Sequence, residues 1–270
     1  MRAFPRGERT AYRLAGPYVA GTRPRDAIAC AHRLATEGLA SSIDFFGESV
    51  SDPIEADEVA HDYIALAHAL DEAPQNTFLS IDLSHIGLEE QGEAVERRLE
   101  RIAAALPQGA RLQVGAQEER HADRILRRVL AVARRGAPVS ATVQANLKRS
   151  RADAHTLAEA GVPVRLVKGA YAEDPRVSRP WGEPTDLAYL ELAHELRAAG
   201  AEVALATHDP VLREALLRSL PNTGVEMLLG ARSADATALA ARGVAVRIYV
   251  PYNDEWFRYA MRRWAESLGK

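Results

Sequence analysis

Short runs of aliphatic and β-branched residues alternate along this chain with longer segments whose apolar residues recur at helical spacing. The short runs indicate strands of a buried sheet, and the longer segments indicate amphipathic helices. The predicted strands are residues 41–46, 77–83, 110–114, 139–144, 163–168, 202–206, 224–229 and 245–250. The predicted helices are residues 57–70, 89–106, 121–135, 150–160, 185–199, 209–220, 233–242 and 253–268, with one more, 25–38, before the first strand.

Eight strands, each followed by a helix, are typical of an α/β protein with a (β/α)8 barrel of the TIM type, which takes roughly 250 residues. The alternative is an open, doubly wound sheet, which usually has a glycine-rich phosphate loop after its first strand. The residues that follow Phe46, Gly-Glu-Ser-Val, do not form such a loop. The pattern therefore predicts a barrel over residues 41–270. Residues 1–40 are predicted to form a helical extension that covers its floor or side, within a single domain overall.

Composition narrows the class of protein. The chain of 270 residues is 47% hydrophobic and 26% charged, as expected for a globular protein. A net charge of −3 and the lack of a basic run give no reason to expect a nucleic-acid partner. The single cysteine, Cys30, excludes an intrachain disulfide and a redox-active cysteine pair. Since no apolar stretch approaches 18 residues and the N-terminus lacks the apolar core of a signal peptide, we expect a soluble, cytoplasmic protein.

In a barrel of this type the chemistry takes place at the carboxyl ends of the strands. Polar residues are concentrated there in this sequence. They are Asp44, Glu48, Asp82, His85, Gln117, Glu118, Gln144, Asn146, Arg165, Lys168, Tyr171, Thr207, His208, Glu226, Tyr249 and Tyr252. Asp82 with His85, and His208 with Asp209, supply only two metal ligands each, so no metal site is predicted.

The last predicted helix carries a candidate anion site. Tyr259, Arg262 and Arg263 are spaced to share one helical face, and each arginine offers a planar fork of donors to a carboxylate. The alternative is a solvated basic turn whose cations favour the helix C-terminus.

Several motifs resemble those of the proline dehydrogenase flavoproteins. Residues 164–171, Val-Arg-Leu-Val-Lys-Gly-Ala-Tyr, closely resemble the fifth-strand RLVKGAY signature, and residues 206–209, Ala-Thr-His-Asp, resemble the sixth-strand ATHN motif. The segment from Tyr249 to Glu266 is similar to the family's final strand and helix. Weaker similarities occur at residues 44–48, 143–145 and 185–189. The matches follow the family's order and span residues 44–266.

The resemblance implies a distorted barrel that binds FAD non-covalently and oxidises L-proline to 1-pyrroline-5-carboxylate by hydride transfer to flavin N5. Carried over by position, the catalytic set is Arg165 near N5, Tyr249, Arg262 and Arg263, of which the last two hold the substrate carboxylate. The substrate ring is enclosed by Tyr171, Leu228, Tyr249 and Tyr259, while Glu48 pairs with an arginine to gate the pocket. The cofactor set is Gln144, Arg165, Lys168, Gly169, Ala170, Thr207, His208 and Glu266, although Glu266 also suits a surface pairing with Arg262.

The chain departs from the family at the substrate pocket. Asp82 stands where the second strand normally has a lysine that helps to neutralise the substrate carboxylate, and Gly115 replaces the aspartate that accompanies that lysine. Glu226 stands where the seventh strand normally has glutamine. Two hypotheses follow. The enzyme oxidises proline with a clamp of Arg262 and Arg263 alone, or it oxidises another imino or amino acid of specialised metabolism that carries an extra cation or a bulkier ring.

Two further hypotheses belong to other classes of protein. A barrel that has lost its flavin would serve as a binding or regulatory protein, and an aldolase-type barrel would use Lys168 as a Schiff-base amine. No motif decides whether the electron acceptor is a quinone, oxygen or a protein, and the oligomeric state is equally open. Members of the family often reach quinone at a membrane, so the expected location extends to the inner membrane face.

Overall fold

Eight parallel strands close on themselves in chain order, and β8 pairs with β1 to complete the barrel. The computed structural model describes residues 16–47 and 49–254. Its strands are β1 Ala40–Phe45, β2 Phe78–Ile81, β3 Leu112–Val114, β4 Val139–Gln144, β5 Val164–Val167, β6 Val203–Ala206, β7 Gly224–Leu228 and β8 Val246–Tyr252. The predicted fold class, an α/β barrel of the (β/α)8 type, is therefore confirmed.

Eight α-helices lie within the described ranges. They are α1 Pro24–Thr36, α2 Pro53–Ala69, α3 Ala94–Ala104, α4 Glu119–Arg134, α5 Ser150–Glu159, α6 Glu183–Ala198, α7 Pro210–Ser219 and α8 Ser233–Ala241. Short 3-10 segments occupy Gly16–Tyr18, Leu70–Glu72 and Leu83–Ile86. The last predicted helix, residues 253–268, lies outside the described residues apart from its first two positions. No helix of the described part is long and apolar enough to cross a membrane.

The strands separate two environments. Because successive side chains of a strand point to opposite faces, Val164 and Leu166 of β5 face the helices, whereas Arg165 between them faces the barrel interior. The apolar faces of the strands and helices form the hydrophobic core, in which Ile43 and Leu166 are fully buried. The barrel interior carries polar and charged side chains instead. This division brings residues from different strands together inside the barrel.

Helix α1 packs against β1 and β8, on the side of the barrel where the ring closes. Ala27 and Ala31 are fully buried, and their small side chains allow the helix to lie close to the strands. The N-terminus of the helix is well defined. Pro24 is its first residue, and the Asp26 carboxylate accepts hydrogen bonds from the backbone N–H groups of Thr22 and Arg23. The predicted helix before β1 is thus present. The division of the chain at residue 40 stays a prediction.

Candidate active site

A buried ion pair crosses the interior of the barrel. Arg165 on β5 donates from Nε to Oε2 of Glu226 on β7, at 2.5 Å. The two strands do not pair with each other, because β6 lies between them, so this contact is made inside the ring. Both side chains are about nine-tenths buried. Nη2 of Arg165 is also buried and has no hydrogen-bond partner among the described residues.

A second side-chain contact lies where β8 pairs with β1. The hydroxyl of Tyr249 donates to Oδ2 of Asp44 in a short hydrogen bond. Asp44 is almost fully buried, and its Oδ1 has no hydrogen-bond partner in the described part of the chain. Burial raises the pKa of Asp44 to about 8, with a further upward contribution from the charge of Asp82. Tyr249 and Arg165 oppose this shift. Asp44 was placed at a strand end by the sequence, but no role was predicted for it.

Asp82 follows β2 and takes up space that a side chain of β3 would fill. A Cβ atom built on Gly115 would lie 2.0 Å from Oδ1 of Asp82, so the aspartate in this orientation requires glycine at 115. Burial raises the pKa of Asp82 to about 6, although the Arg165 charge acts in the opposite direction. The sequence comparison suggested that a lysine and an aspartate had both been lost from this corner. The structure shows that a carboxylate remains there, supplied by the residue that follows β2 and not by β3.

Lys168 at the end of β5 is held by two carboxylates. Its Nζ lies 2.6 Å from Oδ1 of Asp186 on α6 and 3.0 Å from Oδ2 of Asp209. Asp209 also caps α7, since its Oδ1 accepts from the backbone N–H groups of Val211 and Leu212. Burial alone would lower the pKa of Lys168, but the two carboxylates outweigh it and raise that pKa. Lys168 is therefore a protonated cation that ties β5 to two helices.

Gly169 allows the chain to pass close to Asn146. Its φ is +121°, and a Cβ atom there would lie 2.1 Å from Oδ1 of Asn146. That Oδ1 is buried and accepts no hydrogen bond within the described ranges. The neighbouring Gln144 is buried and donates from Nε2 to the backbone oxygen of Gln117, at 2.8 Å. Asn146 thus joins the predicted cofactor-binding residues Gln144 and Gly169 at this edge of the barrel.

The ends of β6 and β7 are linked through His208. The backbone N–H of Leu228 donates to Nε2 of His208 at 3.1 Å, so the neutral imidazole carries its proton on Nδ1. Thr207 is buried, and its Oγ1 accepts from the backbone N–H of Asp209. Leu228 itself is half-buried next to Tyr249, its partner in the β7–β8 register. The predicted residues Thr207, His208, Leu228 and Tyr249 therefore lie together at the carboxyl ends of the last three strands.

Tyr171 lies at the mouth, where its hydroxyl approaches the backbone oxygen of Ala116 at 3.5 Å. Ala170 beside it is exposed, in keeping with a position at the rim. His85 has a structural role in this arrangement. Its Nδ1 lies 3.2 Å from the hydroxyl of Tyr63, and its ring fills the space beside Gly47. Across residues 16–47 and 49–254, no group of three or more histidine, cysteine or acidic residues is arranged to hold a metal ion.

Five predicted site residues lie outside the described residues: Glu48, Tyr259, Arg262, Arg263 and Glu266. Their roles stay predictions. The structure adds three residues to which the motifs assigned no role in the site, namely Asp44, Asn146 and Glu226. Asp44 lies near the end of β1 and Asn146 just after β4, whereas Glu226 lies in the middle of β7. The signal in the sequence was a polar residue on or just after a predicted strand. Their partners are distant in the chain, so only the folded barrel identifies their contacts.

The fold and the polar carboxyl-terminal edge define a (β/α)8 barrel with an enzyme-like site. Residues 27–268 match the family described as Proline dehydrogenase. A proline dehydrogenase of Deinococcus radiodurans is 32% identical over 271 residues, which cover 95% of this chain and 87% of that protein. Proline dehydrogenase 1 of Bacillus subtilis is 31% identical over 257 residues, covering 92% of this chain and 85% of that protein. The chain belongs to the proline dehydrogenase family.

Solved structures agree with the fold. Proline utilization A (PutA) of Bdellovibrio bacteriovorus superposes with a TM-score of 0.87 at 18% identity, over 96% of this chain and 33% of that one. PutA of Bradyrhizobium japonicum, as a mutant, superposes with a TM-score of 0.77 at 20% identity, over 96% of this chain and 31% of that one. The chain therefore spans about a third of these longer proteins.

Proposed function

We propose that this protein is an FAD-dependent dehydrogenase that oxidises L-proline to 1-pyrroline-5-carboxylate. The observation that carries the proposal is the Arg165 guanidinium, which lies inside the barrel with one buried nitrogen that has no partner among the described residues. An unsatisfied buried donor costs on the order of 1–3 kcal/mol, so it suits a polar ligand that enters the barrel. Family membership supports the same activity.

The residues at the barrel edge fit a large polar cofactor. Arg165 offers Nη2 and Asn146 offers Oδ1, two atoms with no hydrogen-bond partner in residues 16–47 and 49–254, and Gly169 has no side chain to block a group that lies against the strand end. Gln144, Thr207 and His208 lie at the ends of the neighbouring strands. These residues would hold FAD, which when bound accepts the hydride that leaves C5 of proline. The nitrogen gives up its proton, and a double bond forms between nitrogen and C5.

The protein's own contribution is positioning. Glu226 fixes the orientation of Arg165 through a 2.5 Å contact, which also holds in place the Nη2 atom that has no partner in the described ranges. The hydrogen bond from Tyr249 to Asp44 holds the phenol at the β8–β1 seam, where it can border the substrate ring. Arg262 and Arg263 are proposed to bind the substrate carboxylate as a paired fork of donors.

The other hypotheses are less well supported. The relatives found are named proline dehydrogenases, which favours proline over a different imino or amino acid. A Schiff-base role for Lys168 requires a neutral amine, whereas Asp186 and Asp209 raise the pKa of Lys168. The hypothesis of a barrel without a cofactor does not explain why the buried Nη2 of Arg165 has no hydrogen-bond acceptor among the described residues.

The test is an anaerobic visible spectrum of the purified protein before and after addition of L-proline, with D-proline as the control. A bound flavin band that bleaches with the L-isomer supports the proposal. A flavin band that persists with L-proline retains the cofactor and rejects the substrate. Protein that is colourless and stays colourless with added FAD rejects the oxidoreductase. Repeating the reaction with a soluble quinone and with oxygen identifies the electron acceptor, and vesicle flotation tests the proposed association with a membrane face.

A further inference from the structure

We propose that Asp82 binds the ring ammonium of the substrate and thereby decides which end of proline lies against β2. This inference rests on the proposed function, because it concerns how the same site recognises its substrate. Proline at neutral pH carries a carboxylate and a secondary ammonium on adjacent atoms. A pocket that binds it in one orientation must therefore distinguish an anion from a cation.

The surroundings of Asp82 suit a cation. In the described part of the chain, the Asp82 carboxylate forms no hydrogen bond and no salt bridge, yet the residue is only partly exposed at the mouth of the barrel. Two further carboxyl groups lie near enough to interact electrostatically with Asp82, namely those of Asp44 on β1 and Glu118 after β3. A carboxylate in low-dielectric surroundings without a partner is costly, and a bound ammonium removes that cost.

The same surroundings disfavour the substrate carboxylate. Arg165 is the cation whose charge lowers the pKa of Asp82, and its Nε is already engaged by Glu226. The side of the pocket made by β1, β2 and the β3 end is therefore acidic. A substrate carboxylate placed there would be repelled by Asp82 and by Asp44 where it is ionised. The ammonium end is consequently expected at β2, with the carboxylate directed away from it.

The absence of a side chain at Gly115 leaves room for the Asp82 carboxylate. With a side chain at 115, Oδ1 of Asp82 could not occupy its present position, since a Cβ atom would lie 2.0 Å from it. The pairing of an aspartate at 82 with a glycine at 115 therefore directs the carboxylate over the end of β3. Asp82 thus contributes a second recognition element, and proline use does not require a cationic residue on β2.

The experiment compares two ligands that differ at one atom. Asp82→Asn and the wild type, both as flavin-loaded protein, are titrated with L-proline and with tetrahydrofuran-2-carboxylate, in which oxygen replaces the ring nitrogen. Loss of a hydrogen bond between charged groups predicts weaker binding of proline by about 10- to 100-fold. Binding of the oxygen analogue should be unchanged or tighter. Glu202→Gln is the control, since it removes a carboxylate that pairs with Arg111 at the surface, at the amino end of β6, and it should change both affinities by less than about threefold.

Equal weakening of both ligands by Asp82→Asn, or no change in either, would overturn the assignment. A second measurement uses only the wild type, in case the variant folds poorly. As pH falls through about 6, protonation of Asp82 should weaken proline while the oxygen analogue keeps its affinity. Parallel pH curves for the two ligands would also overturn the assignment. A wild-type protein that holds flavin and is not reduced by proline would instead reject the proposed function.

Discussion

Nε of Arg165 lies 2.5 Å from Oε2 of Glu226, across a barrel interior in which their strands are separated by β6. Because the two side chains are about nine-tenths buried, neither charge is well solvated without the other. The pair holds the guanidinium through Nε, while Nη2 has no hydrogen-bond partner in the part of the chain that the structure describes. The family motif normally has a neutral glutamine at the position of Glu226. Glutamate therefore compensates the arginine charge from within the chain.

Glu226→Ala is expected to lower the free energy of unfolding by roughly 3–5 kcal/mol, because it leaves the buried arginine without its counter-charge. Urea denaturation at neutral pH measures the change. Glu202→Ala is the control, since Glu202 pairs with Arg111 at the surface and its side chain is two-thirds exposed. That change should cost less than about 1 kcal/mol. Similar losses of unfolding free energy for the two variants would mean that the interior ion pair stabilises the protein no more than a surface pair does.

The pH dependence of stability should reveal Asp44. Its pKa is raised to about 8 in the folded protein, chiefly by burial and next by Asp82, against about 3.9 for an unfolded chain. Folding therefore favours the protonated acid, and this contribution is fully present below about pH 4 and is lost as pH rises through about 8. From pH 5 to 8 the wild type should lose stability relative to Asp44→Asn, by up to about 1.4 kcal/mol per pH unit.

Unfolding free energies of the two proteins, measured at intervals across that range, provide the comparison. Asparagine keeps the acceptor for the Tyr249 hydroxyl but cannot ionise, so it isolates the titration from the hydrogen bond. Among the described residues, the groups that interact with the Asp44 charge include Asp82, Tyr249, Arg165, Tyr63 and Tyr252, and they are the same in both proteins. Curves that stay parallel from pH 5 to 8 would show that Asp44 is ionised throughout.

Gly169→Ala should reduce flavin binding. The substitution adds a Cβ atom 2.1 Å from Oδ1 of Asn146 and strains a residue whose φ is +121°. Gly182→Ala separates the two effects, because Gly182 has a φ of +89° but nothing within 4 Å of the added atom. Both variants should lose on the order of 1–2 kcal/mol of stability from backbone strain. Only Gly169→Ala should show a lower ratio of flavin to protein absorbance after purification. Equal flavin content in both variants would remove Gly169 from the proposed cofactor site.

Arg262→Ala and Arg263→Ala should each raise the Michaelis constant for proline by about tenfold or more while flavin stays bound. The reason is the loss of a charge-assisted hydrogen bond to the substrate carboxylate. Steady-state kinetics with proline, together with the flavin spectrum, measure both quantities. Arg242→Ala is the control, because Arg242 pairs with Glu214 on the surface. Unchanged kinetics in both variants would contradict the proposed carboxylate site and favour the alternative, a solvated basic turn in the last predicted helix.

The regular alternation of short apolar runs and amphipathic segments was enough to predict the eight strands, the helices between them and the closed barrel. The strand at 139–144 has the predicted bounds, and the other strands differ by a few residues at their ends. This succeeds because the side-chain periods of strands and helices are local properties, and because each apolar face must be covered by its neighbours. Family motifs added the proposed cofactor and substrate.

Tertiary structure decided the pairing of the polar groups. Arg165 meets Glu226 across 61 residues of sequence, Lys168 meets Asp209 across 41, and Tyr249 meets Asp44 across 205. The local pattern places these residues on the strands or shortly after them. It does not depend on which partner each residue contacts. Partners are set by the register between strands and by the closure of the ring, which bring distant residues within hydrogen-bonding distance. The position of the Asp82 carboxylate over Gly115 depends on the same geometry, because the pairing of β2 with β3 brings the residue after β2 next to the residue after β3.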